Sequence, residues 1–267
     1  MIARKPLLST RLLAFAVLLT VAGCATVGQL NIVSEQQELE MGAEFAQQLE
    51  TELTFITDPV VVAYIDSLGQ AIAMASRRNN IPYTFHVVDT DEVNAFAIPG
   101  GYLYVNRGLI EEADNESELA GVIGHEIGHV VGRHSARQMT QQIGISGIAS
   151  ILLGESPGQL SQLATAIAAN GALMSYSREM ESEADTYGVA ELYTVGLDPN
   201  GLATFFDKLV EMRGGASSGK LEQFFSTHPD PGARAAAVRA SIQTLPPKAL
   251  RKDSPRFHEI KARVTKP

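Results

Sequence analysis

Three titratable side chains lie inside one strongly apolar stretch of the chain, residues 119–131, whose sequence is LAGVIGHEIGHVV. The stretch has no proline, and we predict that it forms a helix beginning at about Ser117. Residues four apart lie one turn above each other on a helix, so the imidazoles of His125 and His129 project from the same face. Unliganded histidines among valine and isoleucine side chains would be poorly solvated. The pattern therefore predicts that both rings bind one metal ion.

The residue after His125 indicates the chemistry of this site. Glu126 completes the pattern His-Glu-x-x-His, which is typical of zinc peptidases. It points to the flank of the two imidazoles, where it can reach a water molecule on the metal and act as a general base. We therefore expect one Zn²⁺ ion per chain, with His125 and His129 as ligands and Glu126 as a catalytic residue.

A third ligand must come from elsewhere, and its identity divides the zinc peptidases into classes. One class continues the helix with a third histidine, and Gly132 does occupy the glycine position of that longer motif. The histidine position, however, holds Ser135. His134 comes one residue early, which turns it to a different face of a continuous helix. We therefore expect the third ligand to lie further along the chain.

Residues 177–185, SREMESEAD, supply three candidate carboxylates. Only Glu181 has an aspartate four residues later, so Glu181 and Asp185 share one helical face. This spacing predicts that Glu181 is the third ligand. Asp185 can then accept the free N–H of a ligating histidine and fix its orientation. For Glu179 and Glu183, we expect a solvated helix surface.

Four segments occur along the chain in this order: VNAFAIPGGYLYVNRGL, HEIGHVVGRHSARQ, SREMESEADTYG and THPDPGAR. Together they resemble the gluzincin metallopeptidases, peptidase family forty-eight. That family includes CAAX prenyl endopeptidases, Oma-type mitochondrial peptidases and bacterial periplasmic relatives. The resemblance covers residues 33–240. It implies an α+β fold: a mostly helical, zincin-like metallopeptidase domain with a small β-sheet whose edge strand flanks the active-site helix. It also implies zinc bound by His125, His129 and Glu181.

The resemblance places the segment around Asn94–Ile98 beside the active site. Endopeptidases commonly bind an extended substrate along an exposed sheet edge, where main-chain hydrogen bonds are independent of sequence. We therefore expect substrate contacts in this segment, and a plain hairpin is the alternative. The expected contact residues are Asn94, Ala95, Phe96 and Ala97.

The segment from Ser226 to Arg234 carries His228, and Pro229 and Pro231 restrict the backbone just after it. The resemblance places this segment at the active site. His228 could donate a hydrogen bond to the oxyanion during catalysis, or it could occupy the open zinc position and keep the resting enzyme closed. Protonation of the imidazole at about pH 6 to 7 would release such a latch. Arg234, in the first turn of the next helix, is expected to bind substrate. A solvated helix-entry loop is the alternative.

The first residues resemble a bacterial lipoprotein signal. A basic start precedes an apolar run from Leu12 to Ala22, which is too short for a spanning helix of about 20 residues. Cys24 follows small residues and is the only cysteine, so disulfides within the chain are excluded. We expect residues 1–23 to be removed, Cys24 to carry the lipid and residues 24–32 to form a tether. Ala25 favours the periplasmic face of the outer membrane.

The remaining sequence predicts one catalytic domain, residues 33–245, followed by a C-terminal tail, residues 246–267. Helices are expected from Ser34 to about Leu53 and from Pro59 to about Arg78, with strands at 83–88, 95–98 and 102–105. The apolar segment 143–174 is predicted to form two buried or groove-covering helices, with a dip into the membrane surface as the alternative. A net charge of −9 argues against nucleic acid as a partner.

Together these patterns predict a zinc endopeptidase of the bacterial cell envelope whose substrates are misfolded or misassembled polypeptides. The quality-control role rests on analogy with relatives. Two alternatives stay open: a chaperone-like assembly factor that uses the same groove with little cleavage, and a zinc hydrolase of cell-wall amides. The natural substrate, the cleavage preference and the oligomeric state have no signal in the sequence.

Overall fold

A computed structural model describes residues 31, 33–141, 175–213 and 218–265. The described chain is an α+β domain in which helices surround one small sheet, as predicted. The predicted lipid site at Cys24 and the apolar segment 143–174 lie outside the described residues. The helices are α1 (Glu35–Glu52), α2 (Pro59–Ala75), α3 (Arg107–Glu112), α4 (Glu116–Val131), α5 (Arg178–Val195), α6 (Asn200–Met212), α7 (Glu222–Thr227), α8 (Pro231–Ile242) and α9 (Pro255–Val264).

The sheet has three strands, β1 (Thr84–Val88), β2 (Ala95–Ile98) and β3 (Tyr102–Asn106), in the order β1-β3-β2. Strand β1 pairs with β3 in parallel, and β2 pairs with β3 antiparallel. The β2–β3 turn contains Gly100 at φ 85°, a left-handed conformation that glycine adopts without a steric penalty. These strands match the predicted ones, and they leave β2 at the edge of the sheet nearest to α4.

The first two helices begin where their capping residues predict. Ser34 accepts a hydrogen bond from the Gln37 backbone while the Gln37 side chain accepts one from the Ser34 backbone, forming a capping box. Asp58 caps α2 through the Val60 N–H at 2.8 Å, with Pro59 in the first turn. Helix α2 ends at Ala75, before the predicted residue Arg78. The Arg78 guanidinium instead turns inward and bonds Glu38 of α1 at 2.8 and 3.1 Å.

Helix α4 packs directly against α5, and glycines make this contact unusually close. A Cβ atom added to Gly128 would lie 2.5 Å from the backbone oxygen of Ala184, a distance that real side chains do not show. A Cβ atom on Gly188 would lie 3.0 Å from the backbone nitrogen of His125. Because these positions lack side chains, the two helix backbones touch beside the His-Glu-x-x-His motif.

One continuous apolar core lies between the sheet and helices α2, α4 and α6, and the C-terminal segment contributes to it. Phe257 and Ile260 of α9 are fully buried in this core. The expected boundary at residue 245 therefore does not mark the end of the packed structure. No helix among the described residues combines the length and the apolar character needed to cross a membrane.

Glu191 on α5 buries an ionisable carboxylate in this framework. Its side chain is buried, and no described residue makes a hydrogen bond to its Oε2 atom. It lines a surface cavity of about 400 Å³ together with residues of α2 and α5. Burial raises the pKa of Glu191 to about 9, because the charged form is poorly solvated.

This shift predicts a pH-dependent stability. Glu191 has an ordinary pKa of 4.5, so the folded protein binds the proton more tightly than the unfolded chain, and the free energy of unfolding falls as pH rises from about 4.5 to 9. At pH 7 the loss is at most about 3 kcal/mol, since one pKa unit corresponds to about 1.4 kcal/mol. Glu191→Gln cannot ionise, and it should be more stable than the wild type in urea at pH 8 and about equal at pH 5. The exposed Glu179→Gln is the control; an unaltered pH dependence in Glu191→Gln would contradict the assignment.

Candidate metal centre

Four side chains from three parts of the chain direct donor atoms at one point: His125, His129, Glu181 and His228. The Nε2 atoms of His125 and His129 are 3.0 Å apart, and the Oε1 atom of Glu181 is 3.4 Å from Nε2 of His129. The Nδ1 atom of His228 lies 3.1 Å from Oε1 of Glu181 and 3.4 Å from Nε2 of His125. All four residues are about 1% exposed. The structure thus brings together the three ligands predicted from sequence and adds His228 to them.

The donor set and its spacing fit a zinc ion. A tetrahedral ion with bonds of about 2.0–2.1 Å holds its ligand atoms about 3.3 Å from one another, close to the separations found here. Burial lowers the pKa of both His125 and His129, which keeps the rings in the neutral form that binds metal. Two neutral Nε2 atoms that face each other with their lone pairs repel unless a cation lies between them. The arrangement therefore suits zinc better than an empty core.

Each ligand is held by a regular element. His125 and His129 lie one turn apart near the end of α4, and Glu181 lies in the first turn of α5, where Ser177 caps the helix through the Met180 N–H. His228 follows the short helix α7, whose end is fixed by a 2.8 Å bond from the His228 N–H to the Phe224 carbonyl. The α4–α5 contact brings the first three residues together, and α7 adds the fourth.

Behind the ligands, Asp185 and Arg234 form a buried ion pair. The Oδ1 atom of Asp185 lies 2.9 Å from Nδ1 of His125, the position predicted for an orienting carboxylate. The guanidinium of Arg234 donates to both oxygens of Asp185, at 2.8 and 2.6 Å, and also pairs with Glu181. Burial opposes ionisation of Glu181, yet the charges of His228 and Arg234 hold its pKa well below the ordinary value. Arg234, expected to bind substrate, instead lies against the ligands, with its guanidinium over Phe206.

Glu126 lies beside the cluster without joining it. Its Oε1 atom is buried, has no hydrogen-bond partner among the described residues and is 3.5 Å from Nε2 of His228. The backbone of Ala97 in β2 lies close to its carboxylate and favours the charged form. Burial raises the pKa of Glu126 to about 7 against the opposing charge of His228, a value suited to exchanging protons near neutral pH. The geometry and charge of Glu126 thus fit the predicted general base.

Two further residues, neither of them expected at the site from the sequence, contact the ligands. The Nδ1 atom of His134 lies 2.8 Å from Nδ1 of His129, and its Nε2 atom lies 3.2 Å from the Oε2 atom of Glu183. On a continuous helix, His134 would point away, but α4 ends at Val131, Arg133 has a left-handed backbone conformation and helix resumes only at His134. Tyr176 was also missed, and its ring stacks on His129 with centroids 4.0 Å apart. The one sequence signal for His134 is its place two residues after Gly132, the glycine position of the longer zinc motif.

The expected substrate-binding residues lie on the edge strand but are not exposed. Asn94, Ala95, Phe96 and Ala97 are each at most 4% exposed. The amide of Asn94 donates to Gln223 of α7 at 3.2 Å, which ties the start of β2 to the segment that carries His228. Both strand β2 and the ligand cluster are thus shielded from solvent in this structure.

The geometry predicts how the metal depends on the two acidic neighbours. Glu181→Ala removes a ligand atom, so the purified protein should lose nearly all of its zinc in dialysis against a weak chelator. Glu183→Ala removes no ligand atom and should lose far less zinc than Glu181→Ala, while Asp185→Ala should weaken binding by about 10- to 100-fold by freeing the His125 ring. Metal content is read by atomic absorption. If Glu183→Ala proves more damaging than Glu181→Ala, the assignment of the third ligand is wrong.

Comparison with known proteins identifies the family. The profile of Peptidase family M48 matches residues 59–242. The Beta-barrel assembly-enhancing protease of Escherichia coli (strain K12) is 33% identical over 243 residues, which cover 88% of this chain and 49% of that protein. The Mitochondrial metalloendopeptidase OMA1 of Schizosaccharomyces pombe is 31% identical over 198 residues, covering 73% of this chain and 57% of that protein. Metalloprotease YcaL of Escherichia coli (strain K12) is 33% identical over 175 residues, covering 64% and 67%.

The first of these relatives is about twice as long as the matched region, so the chain spans about half its length. The matched profile nevertheless includes His125, Glu126, His129, Glu181 and His228, and it covers more than half of the chain. The family expected from the sequence is confirmed: the chain belongs to peptidase family M48.

Proposed function

We propose that this protein is a zinc-dependent endopeptidase. The observation that carries the proposal is the cluster of His125, His129 and Glu181 donor atoms, beside which a carboxylate oxygen of Glu126 has no hydrogen bond from any described residue. Three protein ligands and a nearby carboxylate are the arrangement of catalytic zinc sites that hydrolyse amides. The family membership and the relatives named as metalloproteases support the same activity.

The chain's own residues supply the proton transfers. When bound, zinc polarises the scissile carbonyl and makes the attacking water more acidic. Glu126 accepts the proton from that water and passes it to the leaving nitrogen. Asp185 and Arg234 keep the His125 ring and the Glu181 carboxylate in place during these steps. The low dielectric of the buried cluster strengthens each of these interactions.

The proposed substrates are polypeptides of the bacterial cell envelope, with misfolded or misassembled proteins as the preferred class. The name of the Escherichia coli relative links a protease to β-barrel assembly, which supports a role in envelope quality control. An extended peptide along β2 would lie next to Glu126, because the backbone of Ala97 lies beside that carboxylate. We include Asn94, Ala95, Phe96 and Ala97 in the proposed substrate groove.

His228 is proposed to hold the resting site closed. Its Nδ1 atom lies within 3.4 Å of two ligand atoms, where a fourth ligand would be, and its Nε2 atom faces Glu126. A carbonyl oxygen could not enter the cluster while the ring is there. The movement of α7 away from α4 would expose the ligands and uncover β2 together, since Gln223 of α7 bonds Asn94.

The activity is tested with Glu126→Gln, which keeps the shape of the side chain but cannot take up a proton. Cleavage of casein should fall by about 100- to 10,000-fold with zinc content unchanged. Glu179→Gln, an exposed change on α5, is the control and should cleave like the wild type. Normal casein cleavage by Glu126→Gln would refute the peptidase mechanism.

The two alternative functions have their own outcomes. If the Glu126→Gln variant kept the envelope phenotype of the wild-type gene, the chaperone-like alternative would replace the peptidase. Digestion of peptidoglycan fragments in place of casein would indicate an amidase.

The two uses of His228 predict opposite outcomes for His228→Ala. Because the ring occupies the ligand cluster, we expect casein cleavage to rise while zinc is retained. A loss of about 100-fold with zinc retained would instead assign His228 to oxyanion stabilisation. Unchanged cleavage and zinc affinity would leave this segment a structural role only.

We also propose that the mature protein is anchored to the membrane by a lipid on Cys24, at the periplasmic face of the outer membrane. The support is the lipoprotein-like signal, and two or more acyl chains suffice for stable anchoring. The protein expressed from its full gene should partition into detergent and incorporate radiolabelled palmitate, and Cys24→Ser should abolish both. A wild-type protein that is unlabelled and released by osmotic shock would contradict the anchor.

A further inference from the structure

The buried ring of His134 connects a metal ligand to a carboxylate at the protein surface. It is fully buried and lies edge-on to the ring of His129, with their Nδ1 atoms 2.8 Å apart. Its other nitrogen lies 3.2 Å from Glu183, which is partly exposed on the outer side of α5. His134 therefore touches both groups through its two ring nitrogens.

The hydrogen-bonding roles of Glu183, His134 and His129 determine which ring nitrogens carry protons. An ionised carboxylate can only accept hydrogen bonds, so Nε2 of His134 donates to Glu183. In a neutral imidazole the other nitrogen is then an acceptor, so Nδ1 of His134 accepts the Nδ1–H of His129. The proton of His129 is thereby held on Nδ1, and its Nε2 lone pair points at His125 and Glu181. This is the tautomer that a metal ligand requires.

The backbone between the two histidines is shaped to return the His134 ring to His129. A Cβ atom on Gly132 would lie 2.2 Å from Nε2 of His134, so a residue without a side chain is needed there. Arg133 has φ 53°, a left-handed conformation that costs energy for a residue with a Cβ atom. Its guanidinium is held by Glu38 at 2.5 Å and by the Val33 carbonyl at 2.6 Å. These two contacts hold Arg133 in the strained conformation from which the ring of His134 reaches His129.

Glu183 is itself fixed from two sides. Arg137 donates to its Oε2 atom at 3.0 Å, and the hydroxyl of Tyr187, one turn further along α5, donates to its Oε1 atom at 2.9 Å. Burial opposes ionisation, but the bonds from Arg137 and His134 hold the pKa of Glu183 below its ordinary value. The carboxylate at the end of the chain is thus charged and oriented.

We propose that His134 and Glu183 are positioning residues for the metal ligand His129: a His-carboxylate pair that sets the tautomer and direction of its ring. The proposal rests on the zinc site of the proposed function. The two ligating histidines would then be oriented in different ways. Asp185 contacts His125 directly, whereas Glu183 acts on His129 through the imidazole of His134.

Zinc affinity is the first readout, measured in the full-length protein by competition with a fluorescent chelator. His134→Phe keeps a buried ring without nitrogens, and it should bind zinc about 10- to 100-fold more weakly than the wild type. His134→Asn retains an acceptor near the Nδ1 position and should restore part of this loss. Glu183→Ala, a change near the surface that spares the core, should weaken binding by about 10-fold. Glu179→Ala removes a carboxylate from the same helix turn and should have no effect.

The second readout is the hydrogen bond itself. In ¹⁵N-histidine NMR spectra of the zinc-loaded wild type, the proton should reside on Nδ1 of His129 and show a scalar coupling across the bond to Nδ1 of His134. A merely structural role for His134 predicts no such coupling. A proton found on Nδ1 of His134, or wild-type zinc affinity in both His134→Phe and Glu183→Ala, would overturn the proposal. A wild-type protein that binds no zinc would instead refute the proposed function, which separates the two failures.

Discussion

The contact between the backbones of α4 and α5 is the constraint on which the site depends. With Gly128 against the carbonyl of Ala184 and Gly188 against His125, the helices approach more closely than side chains allow. Glu181 and Asp185 lie in the α5 turns at this contact, so their short carboxylates reach the histidines of α4. A larger residue at Gly128 would separate the helices, and the third ligand would no longer reach the first two.

The same contact creates a concentration of buried charge that must be balanced. Glu126, Glu181 and Asp185 are all nearly inaccessible, and such carboxylates are costly to bury without partners. Arg234 pairs with Glu181 and Asp185 but contributes a single positive charge, and His228 lies between Glu181 and Glu126. A divalent cation among the donors would supply the remaining positive charge. The electrostatics of the fold therefore lead to the same conclusion as the motif: this core is organised to hold a metal.

The parts of the site that follow helical periodicity could be predicted from sequence. His125 and His129 are four residues apart, as are Glu181 and Asp185, and regular helices preserve those relations. Contacts that depend on how the chain leaves a helix could not be predicted. His134 lies against His129 because the helix is interrupted at Arg133, and Glu183 contacts the other nitrogen of the same ring.

Zinc-edge anomalous diffraction from crystals of the zinc-loaded protein tests the central claim most directly. The account predicts one strong anomalous peak per chain, about 2.0–2.2 Å from Nε2 of His125, Nε2 of His129 and a carboxylate oxygen of Glu181. It also predicts that Glu126 stays outside bonding distance. A peak bound by His134 or Glu183 in place of Glu181, or no ordered peak in the cluster, would contradict the account.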